Sequence, residues 1–282
     1  MTTRRPGLTP RSGEPAVSRR LGELFEQRRF SCRLTADRAL GSLEEAAGFV
    51  VERRLVTRTP DSALPSLFEA CHEEPYEEGG RGFASWPATK WWWPAALAAR
   101  PGLHVLKIHS GKNLLLSDEA LAAADPICRG ELHRMTEADR GWARLLGYLD
   151  SVGPSALRTI QDELGLTPKE LKALRSPLER CGAVVATAVT EPSPATGPDY
   201  ADAGHEHTSV LARFDQLYPE PPTSSGGVDE LVVMAARAAV VAPEKEVTKW
   251  FSWRWLVTSA VVDRLVAEGR LLRPQPGWIA AS

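Results

Sequence analysis

The chain has 282 residues, 43% apolar and 25% charged, the profile of a globular protein with room for two or three small domains. Its formal net charge of −2 excludes a global basic field, and its apolar runs are far too short to span a bilayer. The four cysteines, at positions 32, 71, 128 and 181, have no paired spacing, which excludes a disulfide framework or a zinc knuckle and fits a reducing cytoplasm.

Charge is unevenly spread. Residues 1–34 hold eight Arg against three Glu, whereas residues 186–227 hold six acids against Arg213 alone. Arginine outnumbers lysine 27 to seven and Asn113 is the single asparagine, a usage that suggests a GC-rich bacterial genome. Residues 1–34 form the first expected segment, a disordered basic tail rich in Pro, Gly, Ser and Arg, with a short helix possible at Leu21 to Phe25. It lacks the apolar centre of a secretory signal, and its amphipathic pattern is weak for an organelle transit peptide. Such a tail can touch phosphates or remain a solvated arm.

Residues 35–135 form a second expected unit. Ser42 and Glu45 make a capping box for a helix to Arg54, with Leu43, Ala46, Ala47 and Val50 on its apolar face. Pro65 opens a short helix, Ser66 to Cys71. Glu73 to Gly82 is an acidic loop, and Trp91-Trp92-Trp93-Pro94 follows; three adjacent Trp cannot share one helix face, so at least one is expected to be partly exposed. His104 to Ser117 alternates as a hairpin with Ser110-Gly111-Lys112-Asn113 as its turn. Lys112 marks the tip, with Lys107 and His109 on one face. A basic tip can lie on phosphate, and it also keeps a hairpin soluble.

Residues 136–218 carry the clearest pattern. Thr136 is the expected cap of a helix bearing Trp142, Leu145, Leu146 and Leu149, ended by Gly153-Pro154. A second helix near Ser155 carries Leu157, Ile160 and Leu164 and stops at Gly165. Thr167-Pro168-Lys169-Glu170 is a capping box with proline at the first helical position, opening a third helix to Cys181 and Gly182. A β-rich run, Ala183 to Val189, follows. Two short helices joined by a glycine turn, a third element and a strand make a winged helix-turn-helix pattern. On the third helix, Leu171, Leu174 and Leu178 share one face at 100° per residue, and Lys169, Lys172, Ser176 and Arg180 share the other. A basic stripe there suits contact with nucleic-acid phosphates and base edges, although a solvated charged face is the commoner meaning of such a run. Pro177 is expected to kink it. Thr190 to Ala203 is a linker or long wing loop, and Thr208 to Phe214 the returning strand.

Residues 219–282 form the last expected unit. Pro219 to Gly227 is a linker, and helices are expected at Val228 to Ala242, Glu246 to Phe251 and Trp253 to Gly269, with a hairpin from Leu271 to Ile279. Val257, Val261 and Leu265 point inward, and Trp255, Ser259 and Asp263 outward. That outer face bears no Lys or Arg, so this unit is expected to pack against a protein partner or to present Trp255. Trp250, Trp253 and Trp255 are more often core than base-stacking surface.

The chain is thus read as α+β, mostly helical, with tandem winged helix-turn-helix units and short β-hairpin wings. The order of Ser42-Leu43-Glu44-Glu45-Ala46, Pro65 to Ala70, Trp91 to Pro94 with Val105-Leu106-Lys107, Leu178 to Val184, and His207-Thr208 through Phe214-Asp215 to Pro219 resembles the winged-helix family of the crosslink-repair DNA glycosylases AlkZ and YcaQ, closest to its shorter AlkZ-related proteins. The resemblance covers about residues 40–280 and implies a DNA-binding concavity. The family's catalytic Gln-x-Gln or Gln-x-Asp motif has no counterpart, because residues 35–70 contain no Gln, so no catalytic residue is carried over.

The leading expectation is a cytoplasmic DNA-binding protein of repair or regulation, contacting DNA through Lys107, Lys112, Lys169, Lys172, Ser176 and Arg180, with no membrane partner. A rival is an active glycosylase using Asp37, Glu69 or Glu73. Another is a protein-interaction scaffold working through the last unit. No cofactor is implied. His205-Glu206-His207, Cys71-His72 and Cys128 with His133 are weak metal signals, Gly79-Gly80-Arg81-Gly82 lacks the ending of a phosphate loop, and no nucleophile elbow occurs.

Overall fold

A computed structural model of the protein describes residues 18–72, 92–138, 140–191, 206–220 and 226–282. Among the described residues the fold is α+β, with three small antiparallel sheets of three strands each.

The first sheet-bearing unit runs α2 (Leu43–Arg53), β1 (Leu55–Thr57), α3 (Leu67–Cys71), α4 (Trp93–Ala98), β2 (Leu103–His109) and β3 (Lys112–Ser117). The second runs α6 (Arg140–Val152), β4 (Ser155–Ala156), α7 (Leu157–Leu164), α8 (Pro168–Cys181), β5 (Val184–Glu191) and β6 (Glu206–Arg213), and ends in the single turn α9 (Phe214–Leu217). The third runs α10 (Val228–Ala239), β7 (Val241–Pro243), α11 (Glu244–Val247), α12 (Ser259–Ala267), β8 (Leu271–Leu272) and β9 (Trp278–Ala281). All three share one order: helix, strand, helix, helix, strand, strand. In each sheet the last strand lies in the middle, as β1-β3-β2, β4-β6-β5 and β7-β9-β8. The first strand of each sheet is only two or three residues long, too short to leave an alternating pattern in the sequence.

One element was not expected. α5 (Asp118–Ala138) is a 21-residue helix that follows β3 directly and buries Ala120, Ala123, Ala124, Ile127, Cys128, Leu132 and Met135. Its small residues let α6, α8 and α10 pack close, and one apolar core runs through α5 and all three sheet-bearing units. A second core, around Phe49, Leu67, Phe68 and Leu97, belongs to the first unit alone. Pro126 lies inside α5 and cannot bond the Ala122 carbonyl four residues back. Gly226 passes that spot: a Cβ there would stand 2.3 Å from the Ala122 oxygen, so only glycine fits.

Several expectations need correction. Thr136 does not cap α6. It sits within α5, where its hydroxyl donates to the Leu132 carbonyl (2.8 Å), so the expected boundary at residue 135/136 falls inside a helix. Asp139 lies outside the described residues. The basic tail is helical from Arg19 to Ser31, as α1, capped by Ser18. Phe25 packs edge-on against Trp278 (5.0 Å), Ser18 N–H donates to Gln275 Oε1 (3.0 Å), and Arg28 donates to the carbonyls of Ala63 and Ala239, joining the first unit to the third. α2 and α8 begin as expected: Ser42 Oγ accepts from Glu45 N–H (3.2 Å), and Thr167 and Glu170 make the full capping box. α8 stays helical through Pro177. Val257 is buried but precedes α12, which buries Val262 and Leu265 and only half-buries Val261. Trp92 is 55% exposed beside buried Trp93, and Trp91 lies outside the described residues.

Candidate nucleic-acid interface

The third helix of the second unit, α8, is positioned at both ends by its own sequence. Its capping box fixes the start, and Gly182, at φ +81°, closes it with hydrogen bonds from Gly182 N–H to Glu179 (3.2 Å) and from Ala183 N–H to Leu178 (2.9 Å). Leu171 and Leu178 are buried, whereas Leu174 is only half-buried. On the other face Lys169 and Lys172 are exposed, Ser176 is half-buried and Arg180 is exposed.

The basic face does not look into open solvent along its whole length. The β2–β3 hairpin of the first unit packs against it, leaving a cleft of about 240 Å³ between hairpin and helix. Ser110 (φ +51°) and Gly111 (φ +81°) form the two-residue turn, a pair of left-handed residues that matches the twist of a tight hairpin. The Arg180 guanidinium lies against this turn: a Cβ added to Gly111 would be 3.3 Å from Arg180 Nε. Lys107 projects from β2 into the same cleft and donates to Glu179 Oε1 (2.9 Å), which also accepts from Arg175 Nη1 (3.2 Å). Glu179 is 5% exposed, so its charge is held inside by those two cations. Four cations thus face a single carboxylate. Among the described residues, Lys172 and Arg180 have no ion-pair partner.

The structure therefore gathers Lys107, Lys172, Ser176 and Arg180 at one cleft and adds Arg175, which faced neither stripe in the sequence. It does not add the other two. Lys169 stands on the first turn of α8, and Lys112 is spent on Asp61 (2.5 Å). Ser176 donates its hydroxyl to the Lys172 carbonyl (2.7 Å), which leaves it only as an acceptor, the wrong polarity for a phosphate. His109 is buried instead of lying on the wing surface. A bulge between Leu106 and His109 breaks the alternation of β2, so Ile108 and His109 both turn inward. His109 Nδ1 lies 2.5 Å from the Trp250 carbonyl, and burial pushes its pKa below the ordinary value.

The third unit braces both walls. Ser252 donates its N–H (2.8 Å) and hydroxyl (3.0 Å) to the Ile108 carbonyl in β2, and the Trp253 indole donates to the carbonyl of Cys181 at the end of α8 (3.0 Å). Trp250 and Trp253 are fully buried, while Trp255 is 55% exposed. A cleft held by three units is preorganised, so an anion entering it meets cations already in place.

A second cavity of about 380 Å³ lies between the start of β2, α5 and Tyr218. There His104 Nε2 is 2.8 Å from Asp118 Oδ1, and burial pushes the Tyr218 hydroxyl up to about 12. Asp118 and Glu220 give it an acidic lining, which suits no phosphate. Asp37 is exposed in a one-turn 3-10 helix, Ala36–Arg38, and Glu69 is half-buried in α3; Glu73 lies outside the described residues. Of the weak metal signals, Cys71 and Cys128 are buried, His72 bonds the Arg33 carbonyl and His133 pairs with Glu137, while His205 lies outside the described residues. Among the described residues no three His, Cys, Asp or Glu are grouped to hold a metal, and no helix is long and apolar enough to cross a membrane.

Comparison with protein-family models, with curated proteins and with solved structures finds no match for this chain.

Proposed function

We propose that the chain is a DNA-binding protein of three winged-helix modules set around α5, and that a phosphate of the DNA backbone seats in the cleft between α8 and the β2–β3 hairpin. The repeated order of helix, strand, helix, helix, strand, strand, with the last strand central, supports the modular reading. The observation that carries the function is the pair Lys172 and Arg180, cations without an ion-pair partner among the described residues, at a cleft that two units enclose. Phosphate oxygens supply the charge that Glu179 cannot, since its one carboxylate is already shared by Lys107 and Arg175. Lys169, exposed at the start of α8, extends the contact beyond the cleft. The resemblance to the crosslink-repair glycosylases points the same way for binding, and the missing glutamine motif argues for binding without base excision.

Two neutralised phosphates, one in the cleft and one at Lys169, predict a log–log slope of about −1.8 for duplex DNA against salt. Fluorescence anisotropy across a salt series tests this. Binding that ignores salt overturns the reading and favours a protein-interaction scaffold.

A further inference from the structure

We infer that the DNA strand this protein holds is unpaired, with one base stacked on Trp255. The inference rests on the phosphate reading of the cleft and names the class of DNA that fits it.

The first ground is steric. A helix with its side chains is about 10–12 Å across and already fills a major groove about 12 Å wide. α8 does not stand clear to enter such a groove at full length, because the Ser110-Gly111 turn stands beside its C-terminal half at Arg180. A single strand imposes no groove. It needs only one phosphate at the cleft and a path along the surface beside it.

The second ground is Trp255. Of the three tryptophans in the 250–255 segment, two are in the core and this one is 55% exposed. One side of its ring rests on the Arg134 guanidinium, 5.5 Å from the ring centre. Arg134 is fixed in turn by two hydrogen bonds to Glu131 (3.0 and 2.6 Å), and Glu131 is 5% exposed. The indole is therefore already ordered, and a base stacking on it costs little further side-chain freedom. Arg254, its neighbour in the chain, is also exposed. An ordered aromatic ring with a face open to solvent is the usual support for unpaired bases.

The two sites are linked through Trp253. Trp253 is hydrogen-bonded to Cys181, the residue after Arg180. Trp255 follows two residues on, and its ring partner Arg134 lies on α5, which packs directly against α8. A strand with its phosphate at Lys172 and Arg180 can thus lay a neighbouring base toward Trp255.

The test uses the full chain and a labelled oligonucleotide of about 15 nucleotides, free or annealed to its complement, in an anisotropy titration. The single strand is expected to bind more tightly than the duplex. Trp255→Ala should weaken single-strand binding roughly ten-fold and leave the salt slope unchanged, and Trp255→Phe should keep most of the affinity. A thermal melt like the wild type's shows that both variants are folded. Equal or tighter duplex binding, or no loss in Trp255→Ala, overturns the inference. If Lys172→Ala with Arg180→Ala weakens binding while Trp255→Ala does not, the stacking falls and the phosphate cleft stands. If neither form of DNA binds, both fall.

Discussion

Replacing Gly182 with alanine should destabilise the protein by about 2–5 kcal/mol, through two separable costs. The first is conformational: at φ +81° an alanine sits in the left-handed region, at about 1–2 kcal/mol. The second is steric. The new Cβ would stand 2.5 Å from Cys128 Sγ, 3.4 Å from Cys128 Cβ and 3.3 Å from Ile108 Cγ2. The sulfur belongs to α5 and is fully buried, so it has nowhere to turn, and overpacking of this kind costs about 1–3 kcal/mol. Gly165 is the control. It has φ +60° at the end of α7 with nothing within 4 Å of an added Cβ, so Gly165→Ala should show the conformational cost alone. Urea unfolding of both variants, with Cys128→Ala alone and combined with Gly182→Ala, closes a double-mutant cycle. The reasoning predicts a favourable coupling, because removing the sulfur relieves the collision. Equal losses in the two glycine variants, or no coupling to Cys128, would refute the close packing of α8 on α5 and on the first unit.

Arg28→Ala should lower stability by about 2 kcal/mol or more, since it strips a charged donor from the Ala63 and Ala239 carbonyls and loosens the first unit from the third; a thermal melt measures it, and a shift under 1 °C contradicts the clamp. His109 should make the protein acid-sensitive. Its folded pKa lies below the unfolded value of 6.5, so the unfolded chain takes up the proton first, and stability falls as pH drops through about 6.5. The Trp250 carbonyl and Asp61 soften the effect and Lys112 reinforces it, so the sign rests on burial. His109→Gln should flatten the pH dependence of the unfolding midpoint between about 7 and 5, and an unchanged slope would contradict the buried neutral imidazole.

The elements legible in the sequence were those whose signals are local. The Thr167 to Glu170 capping box, Gly165 and Gly182 define α7 and α8 because capping and left-handed closure depend on a few adjacent residues. α5 was not legible because its buried face is built from Ala120, Ala123, Ala124 and Cys128, with Asp125 and Glu131 also inside, tied to Arg129 and Arg134. Small residues and buried acids give no large-apolar periodicity, and Pro126 reads as a break. The apolar spacing from Trp253 predicts helix, but Trp253 is held by its indole bond to Cys181, and the helix starts only at Ser259. At the site, the stripe of Lys169, Lys172, Ser176 and Arg180 follows from helical spacing. The cleft does not, since it exists only where the hairpin of one unit meets the helix of another. His109 turns inward at the β2 bulge to meet Trp250 of the third unit, and Lys112 pairs with Asp61 of its own unit, neither of which has a local signature.

The central claim, that Lys172 and Arg180 hold DNA phosphate, is tested most directly by a salt titration of DNA binding by Lys172→Ala with Arg180→Ala. Both side chains are exposed, so stability should stay within about 0.5 kcal/mol of wild type. Loss of the one cleft phosphate should flatten the log–log salt slope by about 0.9 for duplex DNA, or about 0.7 for a single strand. An unchanged slope and affinity in the folded double variant would contradict the account.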